Sequence, residues 1–155
     1  MQLSKRCEYA LRALLDIAVA QDLGKERIAL SDLCDYEDIP LKFLEQILSQ
    51  LRQAGYLHSK RGPSGGYSLA KPASKIFFGD VIRLLDGPLA PVRCASRTAY
   101  EKCSCPSEDR CGLHLLMSEL RAAISGVLDG TSLAEMVRRV RKEIKREGGV
   151  FALIN

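Results

Sequence analysis

Tyr56-Leu57-His58-Ser59-Lys60-Arg61-Gly62-Pro63-Ser64-Gly65-Gly66-Tyr67-Ser68-Leu69-Ala70 is the stretch on which the fold turns. Its ends, Tyr56–Lys60 and Tyr67–Ala70, read as two short strands. Between them Pro63 fixes a turn, and Gly65 and Gly66 permit the positive φ that a tight connection demands. The expected product is a hairpin with Lys60 and Arg61 at its tip, placed to reach phosphate or a minor groove. A glycine-rich loop can also cradle a nucleotide phosphate. The spacing here fits neither a P-loop nor a dinucleotide fingerprint, and no helix pattern starts immediately afterwards.

Upstream, Ser31 with Asp32 marks a helix start, and Leu33 and Tyr36 supply a short apolar face. This helix must stop near Asp38, because Pro40 disfavours helical geometry at the residue before it. Pro40 itself suits the first turn of the next helix. There Leu44, Ile47, Leu48 and Leu51 form the buried stripe, and Lys42, Glu45, Gln46, Ser49, Gln50 and Gln53 face outward as far as Gly55. Two helices joined by a short turn match a helix-turn-helix, and equally a plain helical hairpin. The hairpin that follows decides for a winged helix-turn-helix. Ahead of it, Ser4 caps a first helix whose apolar face is Leu11, Leu14, Leu15, Ala18 and Val19, with Arg12 and Asp16 on the opposite face. Cys7 and Cys34 fall within helices and read as small core residues. His58, in the first strand, reads as structural or phosphate-contacting.

Downstream, Phe78, Val81, Ile82 and Leu85 mark a fourth helix, stopped by Gly87-Pro88. From Gly112 a long helix carries Leu113, Leu116, Met117, Leu120, Ile124, Val127 and Leu128 to Asp129-Gly130. With Leu115, Ala122 and Ala123 its apolar surface is broader than one packing face needs, which points to burial by a partner copy. Ser132-Leu133-Ala134-Glu135 is a capping box. It opens a last helix with Leu133, Met136, Val137, Val140 and Ile144 inward. Six Lys/Arg against three Glu between Ser132 and Glu147 read as its solvated face. The expected fold is mainly α. Its parts are a winged helix-turn-helix with a two-stranded wing at 1–87, a cysteine-rich loop at 88–114, a dimerisation helix and C-terminal helix at 112–147, and an apolar tail at 148–155.

The loop Arg93–His114 holds four of the six cysteines and one of the two histidines, and almost nothing apolar. Such a segment cannot fold by burying surface, and a long polar loop inside a compact domain is functional or disordered. Its soft donors are those that grip a metal or an iron–sulfur cluster. Cys111 and His114 lie three apart where a helix begins, so both project from one face. Zinc accepts the same donors, and unliganded thiols are the bland alternative.

At 155 residues, 46% hydrophobic and 27% charged, the chain has the balance of a globular protein able to bury a core. A net charge of +4 permits nucleic-acid binding. Lys5 and Arg6 ahead of Ala10–Ala20 superficially suggest a signal peptide, but Arg12 and Asp16 interrupt the run at helical spacing. A cytoplasmic location with no membrane contact is therefore expected, where cysteines serve as ligands or sensors more often than as disulfides. No nucleophile–base pair, paired carboxylates or nucleotide loop stands out, so no enzyme is expected.

From Met1 to about Glu147 the chain resembles the Rrf-two family, the dimeric bacterial winged-helix repressors. The likeness is carried by Met1-Gln2-Leu3-Ser4 with Tyr9-Ala10-Leu11, by Leu44-Glu45-Gln46, by Arg61-Gly62-Pro63-Ser64-Gly65-Gly66-Tyr67, and by the ending Cys105, Cys111, His114. In such regulators three cysteines of one subunit hold an iron–sulfur cluster near the dimer interface, which implies Cys94, Cys105 and Cys111 here. A histidine three residues after the last cysteine is the fourth ligand in one branch and maps onto His114. Elsewhere an acidic residue near the partner's N-terminus serves, and Glu8 occupies that region. The gap from Cys94 to Cys105 is longer than the family usually shows, and Cys103 is extra; it can replace Cys105 or complete a four-cysteine set.

The resemblance thus implies a homodimeric repressor whose 2Fe-2S cluster, rather than a 4Fe-4S one, senses iron or redox status. It suggests that Glu45 and Gln46 read base edges of double-stranded DNA, with Arg61 in the minor groove and Lys42, Ser49, Gln50 and Lys60 on phosphates. A two-fold dimer implies a pseudo-palindromic operator. The rival readings are a winged-helix regulator with a structural zinc or thiol-sensing loop, and a small electron-transfer protein.

Overall fold

One helix, α1 (Lys5–Asp22), is packed on by most of the other elements, and the fold is best followed from it. The computed structural model describes residues 2–146 together with 148, 149, 151 and 153. After α1 come α2 (Leu30–Glu37), α3 (Leu41–Gln53), β1 (Leu57–Lys60), β2 (Gly66–Leu69), α4 (Phe78–Asp86), α5 (Gly112–Gly130) and α6 (Leu133–Arg146). Short 3₁₀ turns stand at Ala73–Lys75 and Arg93–Ala95. The mainly α winged-helix expectation is met. Among the described residues no helix is long and apolar enough to cross a membrane.

Ser4 caps α1 as its sequence indicates: its Oγ accepts from the Cys7 N–H at 3.1 Å. The Ser4 N–H and hydroxyl both donate to Asp86 at the end of α4, at 2.8 and 2.5 Å, which ties the chain start to that helix. Burial departs from expectation at Asp16, read as outward-facing but only 8% exposed. A helix wrapped by α2, α3, α4, α6 and β2 has little outer face left. Asp16 meets Glu37 of α2 there, and burial followed by that second carboxyl pushes its pKa up to about 8. Arg12 pairs with Glu37 and moderates the charge.

α2 begins at Leu30, after Ala29 and without a side-chain cap, rather than behind Ser31. The reason lies in the wing. Ile28 exchanges two backbone hydrogen bonds with Tyr67, at 3.0 and 2.8 Å, and the chain passes directly from that bridge into the helix. Asp38 closes α2 in the left-handed region at φ 52°, and Pro40 precedes α3. Leu33 is buried as expected, but its companion is Cys34; Tyr36 stays 44% exposed. In α3 Leu44, Ile47, Leu48 and Leu51 all reach 0% exposure. At roughly 1.5–3 kcal/mol for each fully buried side chain, this stripe anchors the outward face opposite it.

The wing is an antiparallel pair in register Leu57↔Leu69 to Lys60↔Gly66. β1 is one residue shorter than the sequence suggests and β2 keeps its length but starts one residue earlier, at Gly66; the Ala70 N–H still donates to the Tyr56 carbonyl at 2.9 Å. The glycines are needed on two counts. Gly66 sits at φ 135° with the Ile28 carbonyl where a Cβ would stand, and a Cβ at Gly65 would strike the Lys60 carbonyl.

α5 lies on α4 and on the Arg93–Ala95 turn, yet none of its residues is buried. Leu113, Leu115, Leu116, Leu120 and Val127 are 44–65% exposed. α6 opens with Ser132 Oγ accepting from the Glu135 N–H at 3.2 Å. The Glu135 carboxylate turns instead to Arg138 and Arg139, so the capping box is half made. Met1 and Glu147, the limits of the resemblance, and Val150 and Ile154 of the tail lie outside the described residues. Phe151 and Leu153 do have a place: both are buried, Phe151 edge-on to Tyr36, and the Leu153 carbonyl accepts from Lys25 Nζ at 2.6 Å.

Candidate metal centre and nucleic-acid interface

Between α4 and α5 the chain has almost no apolar side chains to bury, and polar links shape it instead. Arg93 pairs with Glu101, Tyr100 donates to Glu108 at 2.9 Å, and the Cys111 N–H donates to the Glu108 carbonyl at 3.0 Å. These closures fold the loop over the start of α5. Cys94, Cys103, Cys105, Cys111 and His114 thereby line one cavity of about 300 Å³. All four thiols are free and partly exposed.

Their neighbours set their acidities. Cys111 is the N-cap of α5, and the backbone N–H of His114, then the Cys105 thiol and the N–H of Leu113, hold its pKa below the ordinary value. Cys105 is pushed up to about 12 by hydrogen bonding with Cys103 and Cys111. Partial burial, and then Cys103 and Glu108, raise Cys94. One thiol of the group is therefore set to ionise first, where a helix end welcomes negative charge.

The donor set fits a metal or cluster on three counts. Four thiols and an imidazole are the ligands that iron–sulfur clusters and zinc take. Cys105 Sγ and Cys111 Sγ stand 3.8 Å apart. Two thiolates bonded at about 2.3 Å to one tetrahedral ion would lie about that far apart. His114 Nδ1 is buried with no hydrogen-bond partner, and the nearest carboxylate, Glu108 Oε1, stays 3.6 Å away. Among the described residues no three such side chains close on a single metal-sized point. The donors ring a cavity rather than converge. Within one chain Glu8 stands apart from them, paired with Lys5 at 2.9 Å and Arg12 at 3.6 Å; the ligand that the resemblance implies would come from a partner copy.

The second surface is formed by α3 and the wing. Lys42, Glu45 and Gln46 are exposed along α3, and Lys60 and Arg61 are exposed on the wing. A cleft of about 460 Å³ separates helix from wing and is bordered by Glu45, Ser49, Lys60 and Arg61. Gln50 differs from its neighbours: its Oε1 is buried without a partner. Ser31, Arg52 and Ser59 also border the cleft, and none of them is among the DNA contacts expected from the sequence. For Arg52 a signal existed, since it follows Glu45 by seven and Ser49 by three, on the same helix face.

Comparison with known proteins bears on the chain as a whole. The family model described as Rrf2 (Rrf-two), iron-dependent transcriptional regulator, matches residues 3–139. The HTH-type transcriptional regulator IscR of Serratia proteamaculans (strain 568) is 39% identical over 137 residues, 88% of this chain and 79% of the relative. IscR of Klebsiella pneumoniae (strain 342) is 36% identical over 88% of this chain and 80% of its own length. Among solved structures, CymR (YrzC), the global cysteine regulator of B. subtilis, superposes with TM-score 0.73 at 29% identity, covering 90% of this chain and 98% of CymR. T. potens IscR does so with TM-score 0.68 at 27% identity, covering 90% and 88%. These relatives are transcriptional regulators and not enzymes.

Proposed function

Because this chain belongs to the Rrf2 family of iron-dependent transcriptional regulators, we propose that it is a homodimeric repressor whose operator affinity is set by an iron–sulfur cluster held in the cysteine cavity. The observation that carries this reading is the gathering of four thiols and an unpartnered imidazole nitrogen at the start of α5. That helix also bears the exposed apolar stripe, so the site and the surface for a second copy share one rigid rod.

Cys94, Cys105, Cys111 and His114 would hold the group, with Cys103 able to stand in for or join Cys105. When bound, a 2Fe-2S cluster supplies a redox-active, oxidant-sensitive iron centre that carries net negative charge. The chain's own part is electrostatic and mechanical. Cys111 presents a thiolate to the free N–H groups of α5, and a neutral His114 adds no further negative charge. Ligation ties the residues on either side of the loop to the helix that pairs the two subunits. The separation of the two α3 helices then depends on whether the loop is ordered. On DNA, α3 enters the major groove with Glu45 and Gln46 at base edges. Arg61 reaches the minor groove, and Lys42, Ser49 and Lys60 meet phosphates. Gln50 would join them only after turning its amide outward. The two-fold arrangement implies half-sites about one helical turn apart.

Purification without oxygen tests the cofactor. Brown protein, with visible absorbance that bleaches in air, is expected. Colourless protein carrying stoichiometric zinc would replace the cluster by a structural staple and leave the DNA-reading surface intact.

A further inference from the structure

A second cavity, of about 520 Å³, lies between α4, α5 and the loop, and the cluster reading does not use it. It sits on the far side of α5 from Leu113, Leu116 and Leu120 of the exposed apolar stripe, while Leu115, seven before Ala122, shares its side. Ala122, Ser125 and Asp129 border it, and each follows a stripe residue (Leu113, Leu116, Leu120) by nine positions. Nine residues are two and a half turns, which places the two sets on opposite faces. A dimer formed through Leu113, Leu116 and Leu120 therefore leaves this cavity open.

Its chemistry is cationic. Arg83, Arg97 and Arg121 line it, and among the described residues Asp129 is the one carboxylate on its wall. Asp129 is already taken, with Arg83 Nη2 at 2.6 Å from its Oδ2. Two guanidiniums are left facing the space without a carboxylate beside them on that wall. Arg121 Nε is buried with no hydrogen-bond partner, a costly state for a charged donor unless something else completes it. Hydroxyls add to the donors. Ser96 is buried, and its Oγ accepts from the Ala99 N–H at 3.0 Å, which leaves its own proton to give. Thr98 and Ser125 border the same space.

We infer that this cavity is an effector site for a small organic dianion, a dicarboxylate or a phosphate ester, gripped by Arg97 and Arg121. Guanidinium forks match such oxyanions in a bidentate way, and the volume falls within the range of small-molecule sites. The site also has a route to the rest of the molecule. Ser96–Thr98 belongs to the stretch between Cys94 and Cys103, so the ligand orders from behind the same loop that frames the cysteine cavity.

Thermal unfolding of the full chain tests this, with and without cluster so that the outcome is separate from the cofactor reading. The probes are inorganic phosphate and succinate, against sodium chloride of equal ionic strength. A rise in Tm of roughly 5–10 °C is expected for at least one probe at a hundredfold excess over its Kd, and the probe that acts identifies the class. Arg97→Gln/Arg121→Gln should abolish the rise. Should that pair compromise folding, Arg97→Gln alone, on an exposed loop residue, should weaken binding at least about tenfold by calorimetry. Arg61→Ala should keep the full shift. No shift beyond chloride, an unaltered response in the arginine variants, or loss of the shift in Arg61→Ala overturns the proposal.

Discussion

In α3 four neighbouring side chains go to 0% exposure, whereas between Arg93 and Cys111 the only apolar residue that is buried is Ala95. The proposed DNA-reading surface is thus carried on a hydrophobic footing that fixes it whatever is bound elsewhere. The cysteine loop is carried on a few polar closures that a bound group can tighten or release. The proposed sensor role needs this division: one part that does not move relative to the core, and one whose order depends on a ligand. α5 belongs to both, since Cys111 caps its start and Asp129 near its end contacts Arg83 of α4.

The comparison breaks most visibly at Leu48. Leu48→Ala should cost ~2–5 kcal/mol of stability, read by urea unfolding, because the stripe is fully buried. A cost below ~1 kcal/mol would mean that α3 is not anchored as described. Next is Arg61→Ala, expected to lower operator affinity by ~1–3 kcal/mol and to flatten its salt dependence by about one counterion. Fluorescence anisotropy over a salt series reads both, and an unchanged slope removes Arg61 from the contact set.

Asp16 follows. Its carboxyl is raised in the folded state to about 8, far above the ordinary 3.8, so between these values the folded chain keeps a proton that the unfolded chain has released. Stability should therefore be highest at the acid end of that window and fall as pH rises toward 8. Asp16→Asn should remove that slope and stabilise the protein at pH 8 by ~1–3 kcal/mol. A wild-type Tm independent of pH between 5 and 8 would contradict this. The smallest effect is expected from Cys111→Ser in protein without cluster, whose stability should change by less than ~0.5 kcal/mol although cluster colour is lost on reconstitution. A large loss of stability would make the loop part of the core.

What could be read in advance follows the same division. The stripe of α3, the cap at Ser4 and the hairpin at Gly65-Gly66 are local patterns, legible because spacing and turn chemistry act over a few residues. Asp16 was misplaced because its burial comes from α2 and the rest of the fold closing round α1, which no window of sequence contains. The start of α2 moved for a similar reason, since Ile28 is held by Tyr67 far along the chain. At the cysteine loop the donor types were plain from composition. Their grouping round one cavity depends on the Arg93–Glu101 and Tyr100–Glu108 closures, and nothing marks those pairs in the sequence. Arg121 carried no signal at all, being one more arginine on a helix until its Nε proved buried.

The most direct measurement is operator affinity for the same protein with and without the proposed cluster, by anisotropy under anaerobic conditions. If the loop sets the spacing of the two reading helices, the two forms should differ by about 5- to 150-fold, the usual range of allosteric coupling. Equal affinities would contradict the account, and would leave a DNA-binding protein whose cysteines do not govern it.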